Sequence, residues 1–361
     1  MVPSTLGRSS YAIIGQRICT VSTNNQRFSA MRWGLIGAST IAAEWMIDAI
    51  RANGGHIMGV ASGSAEHGKA YAEKHDIPES FTSVDALLDL GLDAVYISSV
   101  NNKHKAQLEA AAARGCHIYC EKPLTLTLKE ALSMIDTCKG FNVQFATNHH
   151  LRWAASHQAI RQAIADGVIG EVRSARVFHA VYLPPHLQGW RVDNPGAGGG
   201  VVLDITVHNC DILAFLLGEY PTTVTSMTDI KALGQGLEDE AMSVWRYPSG
   251  VLAYTHESFV TPDAGNGIEI HGSAGSLIGE NVMTQQPIGT VYLQRDGART
   301  ELTVSPQGLY IAAVADFVSA INEVRAPACD GVAGTKSLAV ALAVLDSAQR
   351  GQHVKVNYGG L

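Results

Sequence analysis

From Arg32 to Thr147 short apolar runs alternate with segments of helical period, and this alternation narrows the possible folds more than any other feature of the chain. Arg32–Gly37 reads as a buried strand, and 40–52 carries helical spacing through Ile41, Trp45, Ala49 and Ala52 before stopping at Gly54-Gly55. A second apolar run covers 56–61, followed by a helix over 65–75, a strand Ala94–Ser98 and a helix 104–114 closed by Gly115. A strand Cys116–Cys120, a helix Leu128–Cys138 and a strand Val143–Thr147 complete the series. Apolar strands separated by helices of this length predict an α/β fold with a doubly wound parallel sheet over 31–150.

At 361 residues the chain exceeds one compact core, so a second domain is expected over 151–361. Its texture differs. A helix is predicted at Ala154–Asp166, a long strand at Val172–Tyr182 and a helix at Asp204–Leu217. From 222 to 304, β-rich runs (Ala241–Tyr247, Val251–Phe259, Gly267–His271, Thr290–Gln294) alternate with Gly, Pro and Asp. They read as an antiparallel sheet with one face covered. Helices near Leu309–Asn322 and Thr335–Gln349 follow, and the last is placed to pack back on the first domain. An open sheet of this kind needs its other face covered, and pairing between subunits is one solution; monomer and homo-oligomer both stay open.

The net charge of −7 argues against nucleic acid or an anionic membrane as the main partner. No run of about 18 apolar residues is present, so no membrane span is expected. Six scattered cysteines make no disulfide framework and point to a reducing, cytoplasmic setting. Cys116 and Cys120, four apart on one strand, share a face and read as core. Residues 1–30 carry Arg8, Arg17 and Arg27, eight Ser or Thr and no acid. They read as an extension outside the fold: a misread start, a disordered segment or a targeting peptide.

Gly37-Ala38-Ser39-Thr40-Ile41-Ala42 lies between the first strand and first helix. It fits G-x-G-x-x-G/A except at Ser39, and points helix N–H groups at a dinucleotide pyrophosphate. Ala42 allows close helix–strand packing, and the Ser39 hydroxyl is free to bond a phosphate oxygen. An NAD site usually has an acid at the end of the second strand. Here the chain reads Ala61-Ser62-Gly63-Ser64-Ala65-Glu66-His67, with small donors at Ser62 and Ser64 and partial positive charge at His67. NADPH is therefore the expected cofactor, with NADH as the alternative.

Glu121-Lys122-Pro123 closes a buried strand at the end where parallel sheets bind ligands, and the X-Pro bond is cis or trans. Gly198-Gly199-Gly200 leads into Asp204 and His208, four apart and on one helix face. His208 is the best general-acid candidate, since a free imidazole titrates near ~6.5, with Asp204 orienting it. A catalytic zinc needs a third protein ligand, and His149, His150, His179 and His186 keep no ligand spacing; no metal is expected.

These stretches resemble the Gfo/Idh/MocA oxidoreductase family, over essentially all of 31–361. The resemblance includes the loop Ser99-Val100-Asn101-Asn102-Lys103-His104, where the family has Thr-Pro-Asn-x-x-His. It is strengthened by Thr147–Arg152, Arg176–Arg191, Gly275–Gly279 and Asn281–Gln285, shared with the family's anhydro-sugar reductases. The resemblance implies a Rossmann domain, a second α/β domain on a large, mostly antiparallel sheet, and NADPH. It places Gly37, Ser39, Thr40, Ile41 and Ala42 at the phosphates and Ser62 and His67 at the 2′-phosphate. Ser99, Asn101, His104 and Glu121 go to the ribose and nicotinamide side, with Trp190 and Arg191 also on the cofactor. Lys122, Asp204 and His208 form the catalytic set, and Asn148, His149, His150 and Arg152 face a sugar-type carbonyl substrate. At His67 the chain departs from those reductases, which carry Arg. The implied reaction is reduction of the C2 ketone of 1,5-anhydro-D-fructose to 1,5-anhydro-D-mannitol. A generic NAD(P)-dependent sugar or inositol dehydrogenase and a catalytically inactive nucleotide sensor are the competing readings.

Overall fold

The computed structural model describes residues 31–361, so the expectation for 1–30 lies outside the described residues. The first half runs β1 (Arg32–Ile36), α1 (Ile47–Ala52), β2 (His56–Ala61), α2 (Ala65–Lys74), β3 (Glu79–Phe81), α3 (Val84–Leu88), β4 (Ala94–Ile97), α4 (His104–Ala113), β5 (His117–Cys120), α5 (Leu128–Gly140) and β6 (Phe145–Thr147). Its six strands are parallel in the order β3-β2-β1-β4-β5-β6. The order reverses between β1 and β4, which opens a crevice at their carboxyl ends. β3 and α3 were not separable by periodicity, because three and five residues are too few to show one.

The second half runs α6 (Ala155–Ala165), β7 (Val172–Ala180), α7 (Trp190–Asp193), α8 (Val207–Leu217), β8 (Thr223–Asp229), β9 (Glu240–Arg246), β10 (Leu252–Ser258), β11 (Asn266–Gly272), β12 (Ser276–Glu280), β13 (Thr290–Arg295), β14 (Ala298–Leu302), α9 (Leu309–Glu323), α10 (Gly331–Arg350) and β15 (Val354–Lys355). The nine-stranded sheet is ordered β14-β13-β12-β11-β7-β10-β9-β8-β15 and is antiparallel except where β7 meets β10. The α/β class and both sheet types agree with the sequence. On β9 the residues Ala241, Ser243 and Trp245 face the covering helices, while Met242 and Val244 face outward. With Met227, Leu252 and Tyr254 they leave an apolar outer face exposed.

The two last helices tie the halves together. Tyr310, Val314 and Phe317 of α9 share one core with Trp33 and Tyr119 of the parallel sheet. Phe317 meets the Tyr119 ring edge-on at 5.2 Å. α10 packs on both β6 and β8, and Thr147 N donates to Cys329 O just before it. Two helical stretches, Pro195–Leu217 and Gly331–Arg350, have the length and mean hydropathy of bilayer spans, against the sequence expectation. They are 83% and 67% buried here and form the core under the large sheet.

Candidate active site

The β1–α1 turn is built around Gly37. Its φ is +117°, and a Cβ there would lie 2.9 Å from the backbone of Ser98 and Ser99. Only glycine fits, and its absence of side chain keeps the β1/β4 crevice open for a pyrophosphate. Helix α1 starts with a wider π-turn over Ala42–Met46, with Thr40 exposed, Ile41 half-buried and Ala42 packed against the sheet. Ser39 differs from the expectation. Its hydroxyl donates to Ser98 Oγ (2.7 Å) and accepts from Ala42 N (3.2 Å), while Tyr71 OH holds its carbonyl. The hydroxyl is engaged within the protein.

At the end of β2, Ser64 caps α2 by accepting from His67 N (3.3 Å). Ser62 Oγ lies 3.4 Å from His67 Nδ1. Three polar side chains and a ten-residue helix N-terminus converge with no carboxylate at the strand end, a donor set that suits a phosphate.

Three residues assigned to the cofactor turn inward. His104 is fully buried, with Nδ1 3.2 Å from Pro123 O and Nε2 3.0 Å from Ser99 O. Both nitrogens face main-chain carbonyls, and the neutral ring donates its single N–H to one of them, between the Ser99 and Pro123 loops. Burial holds its proton affinity below the ordinary value despite these carbonyls. Asn101, also buried, donates to Gly198 O (3.1 Å) and so links the loop after β4 to the glycine run. Glu121 receives Tyr96 OH and Asn148 Nδ2, each at 2.5 Å, beneath the site, and burial raises its carboxyl above the usual range. Ser99 Oγ donates to Gln107 Oε1.

Beyond Glu121 the Lys122–Pro123 bond is cis. Lys122 Nζ donates to Asp204 Oδ1 and to Asp204 O, both at 2.8 Å. Asp204 sits in a second π-turn, Val202–Thr206, which opens α8. Arg191 Nε lies 3.6 Å from its other oxygen, and the Arg191 guanidinium covers the Trp190 ring at 4.7 Å. Burial pulls the Asp204 carboxyl upward, but Lys122 and Arg191 outweigh it and hold the group at about 2. It is a carboxylate at every working pH.

His208 makes no hydrogen bond to Asp204 among the described residues; Asp204 spends its oxygens on the two cations. The His208 ring instead meets three other histidines, at centroid distances of 5.6 Å for His149, 5.0 Å for His150 and 6.4 Å for His179. Burial, then Lys122, then the neighbouring rings press its proton affinity well below the ordinary value. The resting imidazole is neutral, which corrects the expectation from a free side chain. His150 stacks on Tyr310 at 4.9 Å, and Tyr310 on Trp45 at 5.4 Å, so an aromatic column runs from α1 to His208. Periodicity placed Trp45 and Tyr310 only as helix residues.

Three residues expected to face the substrate are turned into the protein. Arg152 is buried in a two-pronged pair with Asp211 (2.7 and 2.5 Å) and donates to Ala328 O. Asn148 is 1% exposed and spent on Glu121 and Tyr119. His149 is also buried, with Nε2 2.9 Å from Ser337 Oγ. β6 packs on α10, and the turn after it, His150–Trp153, packs on α9, α8 and α6.

Comparison with known proteins agrees with this geometry. Residues 31–149 match the model of an oxidoreductase family with an NAD-binding Rossmann fold, and 157–278 match the GFO/IDH/MocA C-terminal domain. The chain is 50% identical over 330 residues to 1,5-anhydro-D-fructose reductase of Ensifer adhaerens, covering 91% of this chain and 99% of that one. It is 27% identical to a D-xylose 1-dehydrogenase (NADP(+)) of Haloferax volcanii, over 91% and 100% of the two chains. Among solved structures, an aldose-aldose oxidoreductase from Caulobacter crescentus superposes with a TM-score of 0.83 at 24% identity, over 90% and 99% of the chains.

Proposed function

The chain belongs to the GFO/IDH/MocA family of oxidoreductases, and from that membership we propose that it reduces the C2 ketone of 1,5-anhydro-D-fructose to 1,5-anhydro-D-mannitol with NADPH. The observation that carries the reaction type is the Lys122 ammonium, just past the carboxyl end of β5, held on Asp204 and close enough to His208 to lower its proton affinity. The substrate comes from the Ensifer relative.

The cradle at Gly37 and the turn of Ser62, Ser64 and His67 fit a dinucleotide with a 2′-phosphate. When bound, that cofactor supplies the hydride to the carbonyl carbon. The protein's own work is electrostatic and acid–base. Asp204 and Arg191 fix Lys122 so that its charge meets the oxygen on which negative charge develops. The resting His208 is neutral, so it offers a ring N–H to that oxygen, and as that proton passes to the alkoxide the other ring nitrogen takes one from the buried groups behind it, which keeps the ring neutral. Trp190 with its stacked Arg191 lines the cofactor side of the same cluster. The enzyme acts on a small sugar-type carbonyl, in the cytoplasm.

An NADPH-consumption screen tests this, with 1,5-anhydro-D-fructose beside glucosone, inososes and simple diketones, repeated with NADH. Turnover of the first with NADPH preferred is the expected result. Activity on inososes alone, or preference for NADH, overturns the substrate or the cofactor assignment.

A further inference from the structure

Glu257, in β10, is fully buried and takes no part in the site described above. Its strand neighbour across the parallel pair is His179 of β7, so the two side chains rise from the sheet one strand spacing apart. Asn209 Nδ2 donates to Glu257 Oε1 at 2.8 Å. Asn209 follows His208 directly on α8, and its side chain lies beside the His179 ring, where it offsets part of the lowering that burial imposes on that ring's proton affinity. Glu257 is thus joined to the histidine cluster from two sides.

The polar atoms here are unusually free. Glu257 Oε2, Asn209 Oδ1, His179 Nδ1, His208 Nδ1 and His149 Nδ1 are all buried without a partner among the described residues. Buried polar groups are normally hydrogen-bonded, and the open atoms here leave several neighbouring groups able to hold a proton. The rings are not arranged as a metal site: among the described residues no such group of ligands converges.

We propose that Glu257 is the proton reserve for His208, a positioning residue that acts through the histidine cluster; this rests on the reading of His208 as proton donor. The balance is simple. The O–H of the Glu257 acid breaks and an N–H forms on His179, whose other ring N–H breaks as one forms on the free nitrogen of His208. The N–H that His208 holds toward the substrate breaks, and the alcohol O–H forms. The Glu257 carboxylate left behind regains its proton from solvent between turnovers. His179 is only half-buried, which gives that return path an opening. A substrate in the cleft shields His208 from water, so during chemistry the proton comes from inside.

The surroundings suit the role. Burial pushes the Glu257 carboxyl up to about 7 against the pull of Thr255, Asn209 and Thr206. No cation faces it. On β7 its titratable neighbour is His179, on β9 its partner is Ala241, and from the helix side come Thr206 and Asn209 with His208 beyond them. Glu240 pairs with His256, whose position on β10 alternates with that of Glu257 and so lies on the other face. His179 in turn feels Lys122 and Asp204.

Glu257→Gln keeps shape and removes the proton. In the wild type kcat at saturating NADPH should fall as pH rises through about 7. In Glu257→Gln that step should vanish, with kcat down roughly tenfold or more below it and the KM for NADPH unchanged; Glu257→Asp should restore the step. A second readout needs no turnover: ¹⁵N-histidine NMR of the cofactor-free chain should show His179 and His208 shifting together with a near-neutral midpoint, lost in Glu257→Gln. Unchanged pH profiles and unchanged NMR titration in Glu257→Gln overturn the proposal. If that variant does not fold, the wild-type titration decides, and absence of a near-neutral step overturns it. A failure of the substrate screen with the NMR step intact would count against the assigned reaction, not against the Glu257 linkage.

Discussion

Lys122 Nζ donates twice to one residue, to Asp204 Oδ1 and to the Asp204 main-chain oxygen, both at 2.8 Å. A flexible lysine stem is thereby fixed from two directions by a residue of the other half of the molecule. The Lys122 charge is held where the two halves meet.

Lys122→Ala should lower kcat roughly 10²–10³-fold, the usual loss when a charge-stabilising group is removed. NADPH binding, read by fluorescence titration, should survive, because the proposed phosphate contacts lie at Gly37 and α2, away from Lys122. Asp204→Asn should cost roughly ten- to a hundredfold through a loosened Lys122. Near-normal turnover in both variants with cofactor bound would remove the assigned catalytic set.

Arg152 separates structure from catalysis. Its guanidinium and Asp211 form a buried pair, and removing one partner leaves an unmatched charge that costs about 3–5 kcal/mol. Arg152→Met should therefore lower the melting temperature steeply while the KM of the surviving folded enzyme stays near that of the wild type. A KM effect without a stability loss would return Arg152 to the substrate site.

His67→Arg tests the 2′-phosphate assignment. An imidazole stands beside Ser62, and a guanidinium fork binds phosphate better. The KM for NADPH should fall several-fold with that for NADH unchanged. Equal change for both cofactors would place the 2′-phosphate elsewhere.

Stability should fall in acid through the buried histidines. Burial presses His149 and His157 down to about 4. In the unfolded chain such rings titrate near ~6.5, so between the two values the unfolded state binds more protons and stability rises with pH. The neutral rings are fully tolerated above about pH 6.5, and up to about 3 kcal/mol per ring is lost as pH drops through that window toward 4. Denaturant unfolding followed from pH 7 to about 4 checks the sign; a midpoint that rises in acid would contradict it.

The first sheet was legible because its signals are local. A strand, a glycine turn and a helix follow one another within twenty residues around Gly37, and periodicity finds each. Lys122 and Asp204 were legible as individual residues, from strand-end position and the preceding glycines. Their mutual clamp, 82 residues apart in sequence, was not. Arg152 misled for the same reason: its partner Asp211 is 59 positions away, and nothing local separates a buried pair from a ligand-facing guanidinium. Glu257 left one trace. It and Thr255 are polar at inward positions of β10, where an ordinary strand would be apolar, and that break in alternation is a signal to look for.

Helix α9 has one more consequence. Its Leu309, Tyr310, Val314 and Phe317 finish a core whose other members begin at Met31. During synthesis, the nucleotide-binding sheet must wait with Trp33 and Tyr119 uncovered until residues beyond 320 have left the ribosome. A product cut at residue 150 would carry every phosphate-binding residue of the β1–α1 turn and still lack one side of its core. The ability to hold the dinucleotide is thus written at the start of the chain and completed only near its end.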